Sequence, residues 1–327
     1  MRILFNAMGS GLGPNGGSAT IVNSANALTK LGHEVFIIDG GPNKHTWTKL
    51  KCKHLIIKDR KQIPKSDVAI TTGFNTCKST LTLPAKIKVM WLRAWETWKT
   101  PEKQIVETLL PLPLIKIVNS IGLQDKLKHY GHDSEVIRPG HTIKDFFPKE
   151  LINGKYLILG GLYHTKHLTK RHIWCIEAAK TLKKKYPNLR LYMFGVSNIP
   201  KMPDVDLYLH QPEQTYKNYF YNDVDIWLSP SNLEGLHITP AEASLCEVPV
   251  VTTNALLAGT KDYVIHRETG LVSEDNLSSF INQIEILIKN KKLRKQLGKA
   301  ARQKIISLGN REENMKKMVN LFERYLQ

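Results

Sequence analysis

Short apolar runs alternate with helical spacing along the first 120 residues. Segments 2–7, 34–39, 67–72, 86–92 and 115–120 read as strands, each bounded by Gly, Pro, Asn or Lys. Between the first two, Ile21, Ala25 and Leu28 fall on one helical face. The same grammar restarts after residue 150. Segments 155–161, 189–195, 206–210, 225–229 and 248–252 read as strands, with helical stripes at Ile173, Ile176, Ala179 and Leu182 and again at Phe280, Ile284, Leu287 and Ile288. Repeated strand–helix units predict parallel sheets covered by helices, so the fold class is α/β. The stretch 138–154 holds two prolines and two glycines and reads as an inter-domain connection. The division predicted is a first domain over 1–140, a linker over 141–154 and a second domain over 155–310. A final helix over 311–327 carries an apolar stripe at Met315, Met318, Val319, Phe322 and Leu326, which needs a surface to dock on and is assigned to the first domain.

Composition adds limits to that outline. The chain has 327 residues, enough for two cores. No apolar run reaches the ~18 residues of a membrane span. Residues 1–7 are too short for a secretion signal and read as a strand. A cytoplasmic location is expected, with a peripheral contact to the inner face of a membrane left open. Cys52, Cys77, Cys175 and Cys246 are scattered, without a Cys-x-x-Cys pair, so they read as small apolar residues rather than a disulfide framework or zinc site. His164, His167 and His172 lie close together, but their spacing does not guarantee convergent ligands, and no metal is expected. The net charge of +18 favours anionic partners: nucleic acid, anionic lipid or phosphorylated ligands. A solvated lysine surface explains it equally well. The densest basic stretch noted is 44–65, with Trp47 inside it.

Gly11-Leu-Gly13-Pro-Asn-Gly16 matches G-x-G-x-x-G between a strand and a helix, and Asp39 ends the next strand. That is the outline of a dinucleotide site and brings an NAD-dependent oxidoreductase into consideration. The loop is long and contains Pro14, which places the helix start near Gly17–Ser18. A glycine loop before a helix is also a general anion cradle, with Gly16 and Gly17 offering backbone amides, or a plain turn. All three readings stand on the residues alone.

The most specific stretch runs from Ser229 to Val251. Glu234 sits in a loop after a strand, and Glu242 lies seven intervening residues later in the following helix. Gly235, Leu236, His237 and Ile238 place amide groups at that helix N-terminus, where phosphate oxygens are well received. Glu242 suits a ribose diol, and Glu234 a sugar hydroxyl. This stretch resembles the Glu-x7-Glu motif of retaining glycosyltransferases of the family-4 type. Pro249-Val-Val, Gly259-Thr-Lys-Asp262-Tyr-Val and Thr269-Gly270-Leu-Val are similar to that family's continuation, as are Asn119-Ser120 and the 136–140 segment with Phe147-Pro148.

The resemblance implies two Rossmann-like domains facing a cleft (GT-B architecture). It also implies transfer from a nucleotide sugar, UDP- or GDP-linked, with retention and without a metal or other cofactor. It places Lys166 and Glu234 among the catalytic residues, with Lys166 on the leaving diphosphate. Gly161 stands where the family has an arginine, so Lys170 or Arg171 supplies the missing charge. Arg93 stands where the family has a histidine; it is too basic for a general base and holds a phosphate or, with Glu96, orients the acceptor. The tryptophans around it, Trp95 in particular, read as core, as an acceptor platform or as a membrane-surface anchor. The acceptor expected is a cell-envelope or lipid-linked glycan. Nucleic acid with a hydroxymethylated base is the alternative, and a non-catalytic anion-binding module the third class.

Overall fold

The computed structural model describes all residues except Ser10, Pro14, 42–45, Trp47, 151–153 and 198–203. Lys44 and Trp47 of the basic stretch, and part of the 141–154 segment, lie outside the described residues. The chain forms two compact units, Met1–Gly140 with Asn310–Gln327, and His141–Gly309.

The first unit runs β1 (Arg2–Asn6), α1 (Gly16–Lys30), β2 (Glu34–Asp39), β3 (Lys53–Ile56), β4 (Ser66–Thr71), α2 (Cys77–Leu81), β5 (Ala85–Leu92), α3 (Glu102–Gln104), β6 (Ile115–Val118), α4 (Ile121–His129) and β7 (Glu135–Val136). Its seven strands are all parallel, in the order β3-β2-β1-β4-β5-β6-β7. Alternate strand residues feed two faces. Ile3, Phe5, Ile37, Val68, Ile70 and Trp91 pack on one side. Leu4, Phe36, Ile38 and Ala69 pack on the other.

The second unit runs β8 (Leu157–Tyr163), α5 (His172–Lys183), β9 (Leu189–Gly195), β10 (Leu207–His210), α6 (Gln214–Asp223), β11 (Ile226–Ser229), α7 (Ile238–Leu245), β12 (Val250–Thr253), β13 (Gly270–Ser273), α8 (Leu277–Lys289) and α9 (Lys291–Ser307). Its six parallel strands take the order β10-β9-β8-β11-β12-β13. One sheet face is covered by α5 and α8 through Ala178, Leu182, Phe280 and Ile284. The other is covered by α6, α7 and α9 through Phe220, Tyr221, Ala241 and Ile305.

The last helix, α10 (Arg311–Leu326), belongs to the first unit. Asn310 caps it, accepting from the Glu313 amide while Glu313 reaches back to the Asn310 amide. Its Met315, Met318 and Phe322 share the core of Ile3, Phe5 and Val89.

Three strands escape the apolar pattern. β3 is an edge strand whose lysine and histidine positions hide it inside a basic stretch, where Lys53 pairs with Glu34 at 2.7 Å. β7 has two residues, too short to show a period, and β13 is an edge strand of four residues that begins at Gly270. The helix α1 begins at Gly16, a residue or two before the expected start, because Asn15 caps it by accepting from the Ser18 amide at 2.9 Å. The predicted linker is in part domain: Phe146 is buried in the second unit's core, and Lys149 N donates to Asn222 on α6 at 2.6 Å.

Phe322 is fully buried between α10 and the first sheet. Phe322→Ala is expected to destabilise the first unit by roughly 3 kcal/mol, read as a lower urea midpoint for that unit.

Candidate functional site

In each sheet the chain reverses direction of winding at one place, between β1 and β4 in the first unit and between β8 and β11 in the second. At such a point the loops leaving neighbouring strands run apart, and a crevice opens at the carboxyl ends. In the second unit these are the 164–171 loop after β8 and the 230–237 loop after β11.

The two loops are tied together. The Asn232 amide donates to the Thr169 carbonyl at 3.0 Å, and Lys170 Nζ meets Glu234 Oε1 at 2.5 Å. The Glu234 loop is held from its other side by β12 and the turn beyond it. The Glu234 amide donates to Leu257 O at 2.7 Å, and the His237 amide to Gly259 O at 2.9 Å. Gly259 is required there. It sits at φ +75°, and a Cβ on it would come within 2.5 Å of Glu234 Cβ.

The Glu234 side chain is only 12% exposed. Burial alone would raise its pKa. His237 and Lys170 outweigh that, and the carboxyl is held below the usual range. Glu234 is therefore an anion at neutral pH, fitted to accept a hydroxyl proton rather than to supply one. His237 is a brace. It is buried, with Nδ1 3.0 Å from Ser229 Oγ and Nε2 3.2 Å from Thr239 Oγ1, and its carbonyl accepts from the Tyr263 hydroxyl. Both ring nitrogens thus have partners, one at the end of β11 and one at the start of α7. Burial lowers its pKa to about 4, so the ring is neutral.

Gly235 and Leu236 are buried beside it, and Ile238 opens α7 at the amide-rich end of the helix. One turn in, Glu242 is half-buried, and its Oε2 accepts from the Tyr221 hydroxyl at 2.8 Å. Tyr221 is fully buried among Phe146, Phe194 and Trp227. Burial raises the Glu242 pKa, with Asp145 adding to the rise and Lys217 and Tyr221 opposing it.

Residues 143–304 match the model of the family described as glycosyl transferases group 1. A capsular polysaccharide biosynthesis glycosyltransferase, CapM of Staphylococcus aureus, is 28% identical over 205 residues, 61% of this chain and half the length of that relative. An uncharacterized glycosyltransferase of Haemophilus influenzae is 24% identical over 332 residues, covering 89% of this chain and 92% of its own. The second unit thus resembles the glycosyl transferases of group 1, and the curated relatives that the chain matches carry glycosyltransferase names. The fold agrees: Anabaena HepE in complex with UDP and glucose superposes with a TM-score of 0.78 at 13% identity, over 99% of this chain and all of that one. The chain thus has the two parallel-sheet α/β units of the GT-B architecture.

The three cations after β8 have separate surroundings. Lys166 is exposed on the turn after β8, and it is Lys170 that reaches Glu234. Arg171 is turned away. It occupies the left-handed region at φ 50°, pairs with Asp275 and lies 4.5 Å from the Trp174 ring centroid. Lys170 precedes that left-handed residue, so its side chain leaves the turn toward the Glu234 loop while Arg171 heads toward α8. His164 stands in the field of both Lys170 and Glu234, and burial lowers its pKa to about 4. Among the described residues no group of three or more His, Cys, Asp or Glu is placed to hold a metal ion. The roles of Tyr221 and Gly259 are not legible in the sequence. Tyr221 is one apolar-face residue of an ordinary helix, and nothing in its neighbours marks it.

In the first unit, Arg93 follows β5 and donates to the carbonyls of Gly17 and Thr72, closing the first turn of α1 onto the end of β4. Burial lowers its pKa to about 10, against the pull of Glu96, so it stays a cation and acts as a clamp. Gly16 and Gly17 form that first turn. Glu96 accepts from the Phe74 amide at 3.2 Å, and lines a depression with Thr71, Gly73, Trp91 and Arg93. Trp95 offers no platform: it is 2% exposed, stacked on Tyr130 at 6.0 Å, with its Nε1 donating to Glu102. The dinucleotide outline fails at Asp39, which is buried and accepts from its own loop at Gly41 N.

The neutral His237 has a consequence for stability. Its pKa is about 4 folded and about 6.5 unfolded, so the unfolded chain takes the proton first as pH falls. Stability is complete above pH ~6.5 and declines between there and pH ~4, by roughly 3 kcal/mol from this residue. His237→Gln is expected to flatten that part of a urea-midpoint profile. An unchanged slope would show that another group carries it.

Proposed function

We propose that this chain is a glycosyltransferase that moves a sugar from a nucleoside-diphosphate sugar, held on the second unit, to a cell-envelope glycan, retaining anomeric configuration and using no metal. The arrangement that carries the reading is Glu234 against Lys170 on one loop, with Glu242 held by Tyr221 on the helix that follows. Glu242 Oε2 is taken by Tyr221, which leaves Oε1 for the ribose diol. Lys170 and the α7 N-terminal amides face the diphosphate. Their charge opposes the charge that develops on the leaving oxygen, in a place where water is scarce and such terms are large.

Glu234, an anion, accepts from a hydroxyl of the transferred sugar and fixes the ring over the diphosphate. The bond from the anomeric carbon to the diphosphate oxygen breaks, and a bond to the acceptor oxygen forms on the same face. The acceptor's proton leaves with the diphosphate. Arg93 and Glu96 shape the first unit's surface at the carboxyl ends of β1, β4 and β5, where the acceptor is expected. A glycan acceptor is supported by CapM, named for capsular polysaccharide synthesis. A UDP donor is supported by HepE, which holds UDP and glucose.

The first test is a thermal-shift panel of UDP, GDP, ADP, dTDP, CMP and NAD. One nucleoside diphosphate at 100 times its Kd should stabilise the protein by about 2.7 kcal/mol. A response to NAD alone would overturn the reading. Glu242→Gln and Tyr221→Phe should both weaken that nucleotide, the second by about fivefold, since Tyr221 acts only through the Glu242 carboxylate. Binding equal to wild type in both would remove Glu242 from the donor site.

Lys170→Met is expected to lower kcat by about 100-fold or more, and Lys166→Met by less than about threefold. The reverse order would return the diphosphate to Lys166.

A further inference from the structure

The sequence between residues 286 and 311 contains nine lysines and arginines and no acid. Seven of the nine, among them Arg294 and Arg302, lie on α9. The helix breaks the rules that stabilise helices locally. Its first turn carries Lys291, Lys292 and Arg294 at the positive end of the dipole, with no acidic residue there. Lys291, Lys295 and Lys299 follow one another at four-residue intervals, so like charges are stacked along the surface.

Tertiary packing holds it instead. Leu297, Ala301 and Ile305 are buried. Gly298 lets the helix press onto the Glu247 carbonyl at the end of α7, where any Cβ would collide with backbone. The charged face is therefore fixed rigidly to the helix that carries Glu242.

The α9 cations divide by type. Both arginines are used internally: Arg294 donates to Leu287 O and Ile288 O, and Arg302 to Leu245 O and Phe146 O. Lys291, Lys292, Lys295 and Lys299 are exposed, and among the described residues none of the four has an ion-pair partner within 4.0 Å. Of the acids nearest in the fold, Asp225 stands in the field of Lys291 and Arg294, and Lys292, Lys295 and Lys299 lie beyond it. Glu285 pairs with Lys289, and Asp225 accepts from the Ile158 amide. The α10 helix shows the contrasting solution, with Glu312 and Glu313 in its first turn and Lys30 paired to Glu312 at 2.5 Å.

We propose that the lysine face of α9 is a docking surface for an anionic lipid bilayer. The four exposed lysines follow one another over about 12 Å of helix axis, wider than one phosphate. Lysine is a hydrated point charge, suited to a diffuse anionic sheet, whereas specific phosphate or base recognition draws on arginine forks and stacked aromatic rings. The exposed arginine forks are absent here, and α9 contains no aromatic residue. Its exposed positions are Lys, Gln and Ser, so the helix adsorbs without inserting, and its attachment is electrostatic and screened by salt.

The test is co-sedimentation of the full chain with vesicles of phosphatidylcholine alone, or mixed equally with phosphatidylglycerol. Wild type should pellet with the anionic vesicles at low salt, be released as salt rises, and ignore phosphatidylcholine. Lys292→Glu/Lys295→Glu/Lys299→Glu should reduce the anionic partition by about tenfold or more, with the thermal transition unchanged. A matched triple, Lys58→Glu/Lys61→Glu/Lys65→Glu, changes net charge equally on the first unit and should reduce it far less. Equal losses in the two triples would assign binding to net charge and overturn the proposal. So would absence of vesicle binding by wild type, or α9-dependent binding to duplex DNA that vesicles at equal phosphate fail to displace.

Discussion

The ion pair between Lys170 and Glu234 joins two loops that the topology would otherwise let diverge. Strands β8 and β11 lie side by side, but their following helices pack on opposite faces of the sheet. The crevice between the loops exists for that reason, and 2.5 Å between Nζ and Oε1 spans it. Both side chains are largely buried, at 20% and 12% exposure. Removing either partner leaves a charge with poor solvation, a change that costs about 3–5 kcal/mol in buried pairs. Gly259 at the back of the loop, the His237 brace and the 169–232 backbone bond all serve to keep the carboxylate at this place. In the proposed reaction a departing diphosphate needs a cation and amides already oriented, and rigid loops would supply that without reorganisation.

The first unit solves the same problem with a different cation. Its switch point also separates two loops, after β1 and β4, and Arg93 closes them by donating to the carbonyls of Gly17 and Thr72. A guanidinium fits this better than an ammonium, since its planar fork can serve two fixed acceptors at once. Glu96 lies beside it and caps the turn at Phe74. Arg93 is thus a fastener of the glycine-rich turn in this structure.

Charge on this molecule is distributed by function of the local fold more than by its total. Lys53, Lys30 and Lys183 find carboxylates and lie in ordinary surface pairs. The lysines of α9 do not, and the helix is kept by its buried stripe and by the close approach at Gly298. A +18 excess therefore has a place where it is concentrated and uncompensated.

Parallel strands buried on both faces are near-continuous apolar runs, and that made β1, β2, β9 and β11 readable within a residue or so. The α10 stripe and the 234–242 segment were readable for a similar reason: helical period and glutamate spacing are local properties of the chain. Edge strands were not, because β3 has water on one side and lysines that hide its period. Nor was the choice among Lys166, Lys170 and Arg171. It turns on a single left-handed residue at 171, which sends one side chain to Glu234 and the next to Asp275, 104 residues away in the chain. The surroundings of Trp95, His237 and Asp39 were illegible for the same cause. Whether a polar or aromatic group faces a ligand or a neighbour depends on partners distant in sequence, and those partners meet only when the sheet and its loops have folded.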